Sequence, residues 1–342
     1  MKAYVSSSLL LLVSLLVCIL IGEGLLRILG YHGAPRSAIN NMQLVDDPIV
    51  NWRYVPKSEI KTGKVVTLYN GVGFRDVEHQ TEKPRGIKRV VVLGDSVTEG
   101  YGVEWESVFS HFLQTGLGPG YEVITIAMSG LNTPQEVHIL ERTGLPYKPD
   151  IVVLNFVLND CDFYTNFHDA KRYFEKVDST VGILNLRVNP RLKQLLKSSA
   201  LIYFVKERLE NLKGRLWGEE TTDYFTTIWK NEQNRQKVRT GFDKLQELQQ
   251  KEFFKVIVTI WPIISDYNNY KFESIHEWVR HEAESRGFEA LDLLDQFSRF
   301  SYRELQVTAE DNIHPNGLGH RIGAEAFLAW YYRSLKSPSA QL

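Results

Sequence analysis

The sequence predicts an α/β protein whose core is a parallel sheet of about five strands. Two observations support this fold class. Short apolar runs, typical of strands buried on both faces, alternate along the chain with segments in which apolar residues recur at helical spacing. A polar or glycine-containing motif follows each of the first three runs, as expected where parallel strands end at a shared edge.

The first predicted strands and helices alternate regularly. Residues 89–93 form a strand in which Arg89 is followed by four apolar residues. Residues 104–117 form a helix, because their apolar side chains recur every three or four positions. A second strand covers residues 122–127. The second helix covers residues 134–145, with Thr133 as its N-cap and a proline at its first turn.

A long connection follows the third predicted strand, residues 151–156, and ends at the fourth, residues 253–261. A bare loop of this length is uncommon in a compact domain. Helical spacing at residues 192–212 and 229–248 therefore predicts a helical insertion, at about residues 162–252, that caps the sheet.

The rest of the chain is predicted as follows. A helix at residues 274–286 and a fifth strand at residues 288–293 precede an amphipathic closing helix at residues 317–335. Residues 32–87, polar and punctuated by glycine and proline, form a linker and lead-in with a few strands around residues 65–69. Residues 337–342 form a tail.

The first 31 residues predict a membrane anchor. Residues 3–22 carry no charge, and twenty residues of helix rise about 30 Å, the thickness of a bilayer's hydrocarbon core. Lys2 precedes the run, which favours a single-pass helix with the amino terminus inside. Gly22-Glu23-Gly24 matches a cleavage site poorly, so we interpret the run as an uncleaved signal anchor. A cleaved signal peptide and a buried core helix are the alternatives.

The charge of the chain is balanced overall and basic in one segment. Forty basic and 41 acidic residues give a net charge of −1, so we expect no nucleic acid partner. Residues 191–217 carry seven basic and two acidic side chains. This segment is either a solvated helix face or a contact for anionic lipid or an anionic glycan.

Composition excludes several classes of protein. Charged residues make up 24% and hydrophobic residues 43%, which is ordinary for a globular chain. Two cysteines, Cys18 and Cys161, are too few for a disulfide framework or a cysteine-rich zinc site. Cys18 lies in the predicted anchor and could not easily pair with Cys161, which we interpret as structural. No H-E-x-x-H motif is present, and we expect neither a metal ion nor another cofactor.

Candidate active-site residues follow the first three strands. Ser96 lies in Gly94-Asp95-Ser96-Val97-Thr98-Glu99-Gly100, Gly130 follows the second strand, and Asn159 follows the third. The carboxyl ends of neighbouring parallel strands share one edge, so we expect these residues to converge. The backbone N–H groups of Ser96 and Gly130 and the amide of Asn159 are suitable donors to an oxyanion.

A base for Ser96 is found near the carboxyl end of the chain. Asp311 and His314 lie three residues apart on one predicted loop, just before the last helix. A serine hydroxyl is a weak nucleophile until a base takes its proton, and histidine titrates in the right range. A carboxylate beside that histidine fixes its tautomer. These residue types predict nucleophilic catalysis on an ester.

These blocks resemble the GDSL/SGNH hydrolase family over about residues 88–335. Gly94 to Gly100 resembles the nucleophile block, Gly130 and Asn159 match the second and third oxyanion positions, and Asp311-x-x-His314-Pro315 resembles the final block. The resemblance implies a flavodoxin-like three-layer α/β/α fold at residues 88–336 and ester hydrolysis without metal. The third block departs from the family pattern, because Val157 stands where a glycine is usual. Asp95 and Asp160 are expected to support the site, with Asp160 holding its loop by hydrogen bonds.

The anchor and the motif Asn70-x-x-Gly73-Phe74-Arg75-Asp76 also resemble a bacterial membrane-anchored subgroup. This resemblance implies a location in the cytoplasmic membrane, with the catalytic domain outside it, in the periplasm. The expected substrate is an ester-bearing small molecule or glycan, such as an O-acetylated envelope polysaccharide. The alternatives are an O-acyltransferase acting on an envelope glycan and a non-catalytic envelope scaffold. The sequence predicts no particular oligomeric state.

Overall fold

The computed structural model of the protein describes residues 2–29, 31, 41–62, 65–162, 196, 198–205, 208–209, 221–308 and 311–336. For residues 2–9, 12, 61–62 and 221–223 it describes the backbone alone. The predicted tail and most of the basic segment at residues 191–217 lie outside the described residues.

The amino-terminal part comprises a helix and two small hairpins. Helix α1 covers Lys2–Ile28. Strand β1 (Met42–Leu44) pairs antiparallel with β2 (Trp52–Tyr54), and β3 (Glu59–Thr62) pairs antiparallel with β4 (Val65–Leu68). The β3–β4 hairpin agrees with the few strands predicted around residues 65–69, whereas the β1–β2 hairpin lies further from that region and was not predicted. A search of the described residues finds no helix that is both long enough and apolar enough to span a membrane.

The central sheet contains the five parallel strands that the sequence predicts. They are β5 (Lys88–Gly94), β6 (Tyr121–Ala127), β7 (Ile151–Phe156), β8 (Lys255–Ile260) and β9 (Glu289–Asp292). Their spatial order is β6-β5-β7-β8-β9, and every neighbouring pair is parallel. Counted within the sheet, this is the flavodoxin-like order 2-1-3-4-5, in which the chain changes direction across the sheet between β5 and β7.

Helices cover both faces of this sheet. They are α2 (Ser96–Glu99), α3 (Phe109–Leu117), α4 (Thr133–Ile139), α5 (Thr221–Lys230), α6 (Glu232–Glu252), α7 (Glu273–Glu284), α8 (Leu294–Phe297), α9 (Tyr302–Leu305) and α10 (Gly317–Lys336). Core side chains of α4, α5, α6 and α7 cluster on one face and those of α3, α8 and α10 on the other. The fold is thus a three-layer α/β/α arrangement.

The alternation of side chains along the strands explains the three layers. In β5, Val91 and Leu93 belong to one core cluster, while Val90 and Val92 belong to the cluster on the opposite face. All six residues of β7 are buried. A strand that is apolar at successive positions must be covered on both faces, which parallel sheets achieve with helices.

Two predicted helices differ from the structure at their amino-terminal ends. The predicted helix at residues 104–117 begins with a short 3₁₀ turn, Trp105–Ser107, and then passes through extended Val108 before α3 starts. The N-cap of α4 is Asn132 and not Thr133, because the Asn132 side chain accepts from the Gln135 N–H while the Gln135 side chain accepts from the Asn132 N–H. This reciprocal pair satisfies two donors that helix ends leave free.

The long connection between β7 and β8 contains two helices, α5 and α6, that pack on one face of the sheet. The single helix predicted at residues 229–248 is two helices, since α5 ends at Lys230 and the Asn231 side chain caps α6. Helix α6 packs closely on α4: a Cβ added at Gly241 would lie 2.8 Å from Thr133 Cγ2. Residues 163–195 and 210–220 lie outside the described residues, so the limits of the helical insertion stay a prediction.

The lead-in segment, residues 32–87, covers one edge of the sheet. Strand β6 is an edge strand, and the Asp76 carboxylate accepts a hydrogen bond of 2.6 Å from the backbone N–H of Thr125 on that edge. The buried Arg89 guanidinium of β5 donates to backbone carbonyls of the same segment, those of Gln80, Thr81 and Glu82. The Asp76 contact satisfies an N–H of the edge strand that would otherwise be open to another chain, and the Arg89 contacts hold the lead-in segment against the sheet.

Candidate active site

A tight turn places Ser96 at the carboxyl end of β5. The strand ends at Gly94, and Asp95 caps α2 by accepting a 2.8 Å hydrogen bond from the Val97 N–H. A Cβ at Gly94 would lie 2.0 Å from Thr98 Oγ1, so the turn has no room for a larger residue. Ser96 is the first residue of α2, beside the strand change between β5 and β7 where open α/β sheets bind ligands.

His314 reaches Ser96 from the loop between α9 and α10. Its Nε2 lies 2.8 Å from Ser96 Oγ, and its Nδ1 lies 2.7 Å from Asp311 Oδ2. Asp311 Oδ1 accepts from the backbone N–H groups of Ile313 and His314, at 3.0 and 2.9 Å. The structure therefore brings together the three predicted residues Ser96, His314 and Asp311 in one continuous chain of hydrogen bonds.

The electrostatics of this chain favour charge separation between Asp311 and His314. Burial opposes a charged imidazole, but the Asp311 carboxylate outweighs it and holds the pKa of His314 above its ordinary value. Burial likewise opposes a charged Asp311, yet His314 and the two backbone N–H donors hold the pKa of this carboxyl below its ordinary value. Asp311 thus stays ionised where His314 exchanges a proton.

The predicted oxyanion donors lie at the ends of the two strands that flank β5. Gly130 has a φ of 83°, a left-handed conformation that glycine adopts without strain. Among the described residues its backbone N–H has no acceptor. Asn159 is buried, and its Nδ2 donates to Asp95 Oδ2 at 2.9 Å. The structure brings Asn159 to the nucleophile turn, and the role of both residues as oxyanion donors stays a prediction.

Val157 does not distort the loop that carries Asn159. Its φ lies outside the left-handed region, so the backbone does not require the glycine that the family pattern has there. The Asp160 carboxylate accepts from the Val157 N–H at 2.7 Å, and the Asp160 N–H donates to the Val157 carbonyl at 3.0 Å. Asp160 is fully buried, and burial together with the nearby Glu136 and Asp95 raises the pKa of its carboxyl. Asp160 closes the turn that presents Asn159.

Sequence reasoning missed two residues beside the site. The buried Glu99 carboxylate, on α2, accepts hydrogen bonds from both the N–H and the hydroxyl of Ser129, which precedes Gly130. The Tyr101 ring packs against His314 with a centroid separation of 4.7 Å. The sequence could have identified Glu99 as a neighbour of the site, because it lies three residues after Ser96 and residues at that spacing share one side of a helix.

Cys161 lies close to the site but does not serve as a second nucleophile. Cys161 is buried, and burial raises the pKa of its thiol, which keeps it protonated. Cys18 and Cys161 are both free thiols. In the part of the chain that the structure describes, no three His, Cys, Asp or Glu side chains are grouped so that they could hold a metal ion.

Comparison with known families identifies the type of domain. The model of the GDSL-like lipase/acylhydrolase family matches residues 92–322, about two thirds of the chain. The match contains every residue singled out above from Asp95 to His314. No curated protein sequence matches the chain.

Several solved structures align with most of the chain at low sequence identity. TesA is 15% identical, covers 73% of this chain with 98% of its own, and has a TM-score of 0.43. A carbohydrate acetylesterase family member from Sinorhizobium meliloti is 14% identical, with 73% and 100% coverage and a TM-score of 0.42. The acetyl xylan esterase AlAXEase is 18% identical, with 71% and 98% coverage and a TM-score of 0.38.

Proposed function

The chain belongs to the GDSL-like lipase/acylhydrolase family and is an ester-hydrolysing enzyme, and we propose that Ser96, His314 and Asp311 are its catalytic triad. The continuous hydrogen bonding from Ser96 Oγ through His314 to Asp311, at 2.8 and 2.7 Å, carries this proposal. The geometry is that of a nucleophile, a base and an orienting acid.

The proposed reaction has two acyl-transfer steps. Ser96 Oγ attacks the ester carbonyl while His314 Nε2 takes the hydroxyl proton, and that proton then goes to the leaving alcohol as the carbon–oxygen bond breaks. In the second step water attacks the acyl-Ser96 ester and gives a proton to His314, which passes it to Ser96 Oγ as the bond from the acyl carbon to Oγ breaks and the carboxylic acid leaves. Asp311 keeps the Nδ1 proton of His314 in place and stabilises the imidazolium formed in each step.

The negative charge on the tetrahedral intermediate is proposed to be held by the backbone N–H groups of Ser96 and Gly130 and by the amide of Asn159. The left-handed turn at Gly130 and the fixed position of Asn159 beside Asp95 support this assignment. Preorganised donors of this kind each contribute roughly 10²–10³-fold in kcat.

The substrate class is a carboxylic ester, and the finer proposal is an O-acetyl group on a cell-envelope polysaccharide. This choice rests on the resemblance of the sequence to membrane-anchored relatives. An O-acyltransferase would use the same acyl-enzyme and pass the acyl group to a glycan hydroxyl in place of water. The third alternative from the sequence, a scaffold without catalysis, does not fit a chain of this enzyme family, and it predicts that loss of Ser96 has no effect on function.

We further propose that α1 anchors the chain in a bacterial cytoplasmic membrane, with the catalytic domain on the periplasmic side. Residues 3–22 lack charge, and several apolar side chains of α1, among them Leu10, Leu11 and Leu16, are more than half exposed within the part of the chain that the structure describes. Extraction of the membrane fraction at alkaline pH tests the anchor. Retention of the full chain supports it, and release into the supernatant contradicts it.

Hydrolysis of 4-nitrophenyl acetate by the full chain tests the catalytic proposal. Ser96→Ala and His314→Ala are each expected to lower kcat by at least about 10³-fold while the protein stays folded. Wild-type hydrolysis in folded Ser96→Ala contradicts the proposal. Addition of an unacetylated polysaccharide as acceptor separates the two activities, because a transferase yields acetylated glycan and a hydrolase yields acetate alone.

A further inference from the structure

The Glu99 carboxylate joins three separate parts of the molecule. Its Oε2 accepts from the Ser129 N–H and hydroxyl at 2.8 and 2.7 Å and from the Tyr54 hydroxyl at 3.1 Å. Its Oε1 accepts from the Tyr69 hydroxyl at 2.7 Å. One buried carboxylate on α2 therefore binds the turn after β6 and two tyrosines of the lead-in segment.

Glu99 connects the helix that carries Ser96 to the turn formed by Ser129 and Gly130. Ser96 and Glu99 are the first and last residues of the four-residue helix α2, and residues three apart on a helix face the same side. Ser129 immediately precedes Gly130 in the chain. Two hydrogen bonds to Ser129 therefore fix the start of the peptide that carries the Gly130 N–H, relative to the helix that carries Ser96.

The lead-in segment holds the other end of this link. Burial and the nearby carboxylate raise the pKa of both Tyr54 and Tyr69, so both phenols stay protonated and donate to Glu99. The buried Arg75 guanidinium donates to the backbone carbonyls of Glu99, Gly100 and Val103 at 3.1, 2.5 and 2.6 Å. This cation also offsets the negative carboxylate and the negative carboxyl end of α2.

We propose that Glu99 is a positioning residue that holds the Ser129–Gly130 turn at a fixed distance from Ser96, so that the Gly130 N–H faces the oxyanion. The inference rests on the proposed triad and deepens it: the lead-in segment, outside the family match, becomes a structural part of the active site. Glu99 makes no hydrogen bond to Ser96 or His314 and acts on the oxyanion through Gly130, while its charge also contributes to the raised pKa of His314.

The test compares variants of the full chain with 4-nitrophenyl acetate as substrate and an aryl trifluoromethyl ketone as a tetrahedral analogue. Glu99→Ala is expected to lower kcat by about 100-fold with KM changed by less than about 3-fold, because a displaced donor weakens only the transition state. The affinity for the ketone should fall by the same factor as kcat/KM. Glu99→Gln should recover about 10-fold of the loss, since its amide oxygen still accepts from Ser129.

Glu122→Ala is the matched control. Glu122 is likewise a carboxylate at the junction of the lead-in segment and the sheet, where it contacts His79 and Arg89, but it makes no hydrogen bond to Ser129. It should lower the melting temperature while leaving kcat within about 2-fold at a temperature where the protein is folded. If Glu99→Ala does not fold, Glu99→Gln and Ser129→Ala take its place, with an expected loss of kcat of about 3- to 10-fold for each.

Two outcomes would overturn the inference. One is a wild-type kcat in folded Glu99→Ala. The other is an equal loss of kcat in Glu99→Ala and in the Glu122→Ala control. Ser96→Ala run in parallel separates this failure from that of the triad. Hydrolysis that depends on Ser96 but not on Glu99 removes only the positioning role, whereas hydrolysis that survives Ser96→Ala removes the triad.

Discussion

Asp311 controls His314 through both oxygens of its carboxylate. Oδ2 accepts from the ring at Nδ1, and Oδ1 accepts from the His314 backbone N–H, so the side chain and its own loop are held together. Because the carboxylate outweighs burial, the pKa of His314 lies above its ordinary value of 6.5. A raised pKa makes His314 a stronger base and moves the range in which it is neutral to higher pH.

The pH dependence of kcat/KM measures this effect directly. Activity should rise with pH as His314 loses its proton, with the half-maximal point above pH 6.5 in the wild type. Asp311→Asn removes the charge that raises the pKa, so the half-maximal point should move to lower pH while the maximal rate falls by roughly 10³–10⁴-fold. A rising limb at the same pH in both proteins would show that Asp311 does not set the pKa of His314.

The residues of the candidate site differ in how far the sequence reveals them. Ser96, Gly130 and Asn159 were predicted to converge because each follows a strand, and β5 does lie between β6 and β7. Glu99 was missed because its partners Tyr69 and Tyr54 lie 30 and 45 positions away, on hairpins that have no strong sequence pattern. Contacts of this kind follow from packing of the whole chain and not from local periodicity.

At the scale of secondary structure, the central strands were predictable and the helix boundaries less so. Strand β7 is apolar at every position except Asn155, and all six of its residues are buried, as expected for a strand covered on both faces. The helix predicted over residues 229–248 is interrupted at Asn231, where a side-chain cap on Gln233 starts a new helix. Apolar periodicity continues across such a break, so spacing alone does not detect it.

The close contact between α4 and α6 sets the next prediction. A Cβ at Gly241 would lie 2.8 Å from Thr133 Cγ2 and 3.1 Å from the backbone nitrogen of Pro134. Gly241→Ala should therefore lower the free energy of unfolding by about 1–3 kcal/mol, although alanine is the better helix former. Urea unfolding measures the change. The control is Thr240→Ala, on the exposed side of the same helix, which should change the free energy of unfolding by less than about 0.5 kcal/mol. Equal stability of the wild type and Gly241→Ala would mean that the two helices can move apart.

Across the whole molecule, two histidines affect acid stability in opposite directions. His320 is buried against Trp261, and burial, with the charges of Arg75 and His314, lowers its pKa to about 3. Below its ordinary pKa of 6.5 the unfolded chain binds a proton that the folded His320 does not, so this residue destabilises the fold as pH falls. The raised pKa of His314 has the reverse effect: its stabilisation is full below pH 6.5 and is lost as pH rises through the folded value.

His320→Leu isolates the first of these effects. Between about pH 6 and about pH 4.5, the free energy of unfolding of the wild type should fall by about 1 kcal/mol per pH unit more than that of His320→Leu. Chemical denaturation at a series of pH values gives both slopes. Parallel slopes would mean that His320 accepts a proton in the folded protein.

Covalent labelling of the full chain shows whether Ser96 is a nucleophile that His314 activates. We expect a fluorophosphonate probe to form one adduct, which peptide mass spectrometry maps to Ser96. The adduct should be absent in Ser96→Ala and should form at least about 100-fold more slowly in His314→Ala, where the serine remains but its base is gone. An adduct on another residue, or equal labelling rates in the wild type and His314→Ala, would contradict the account.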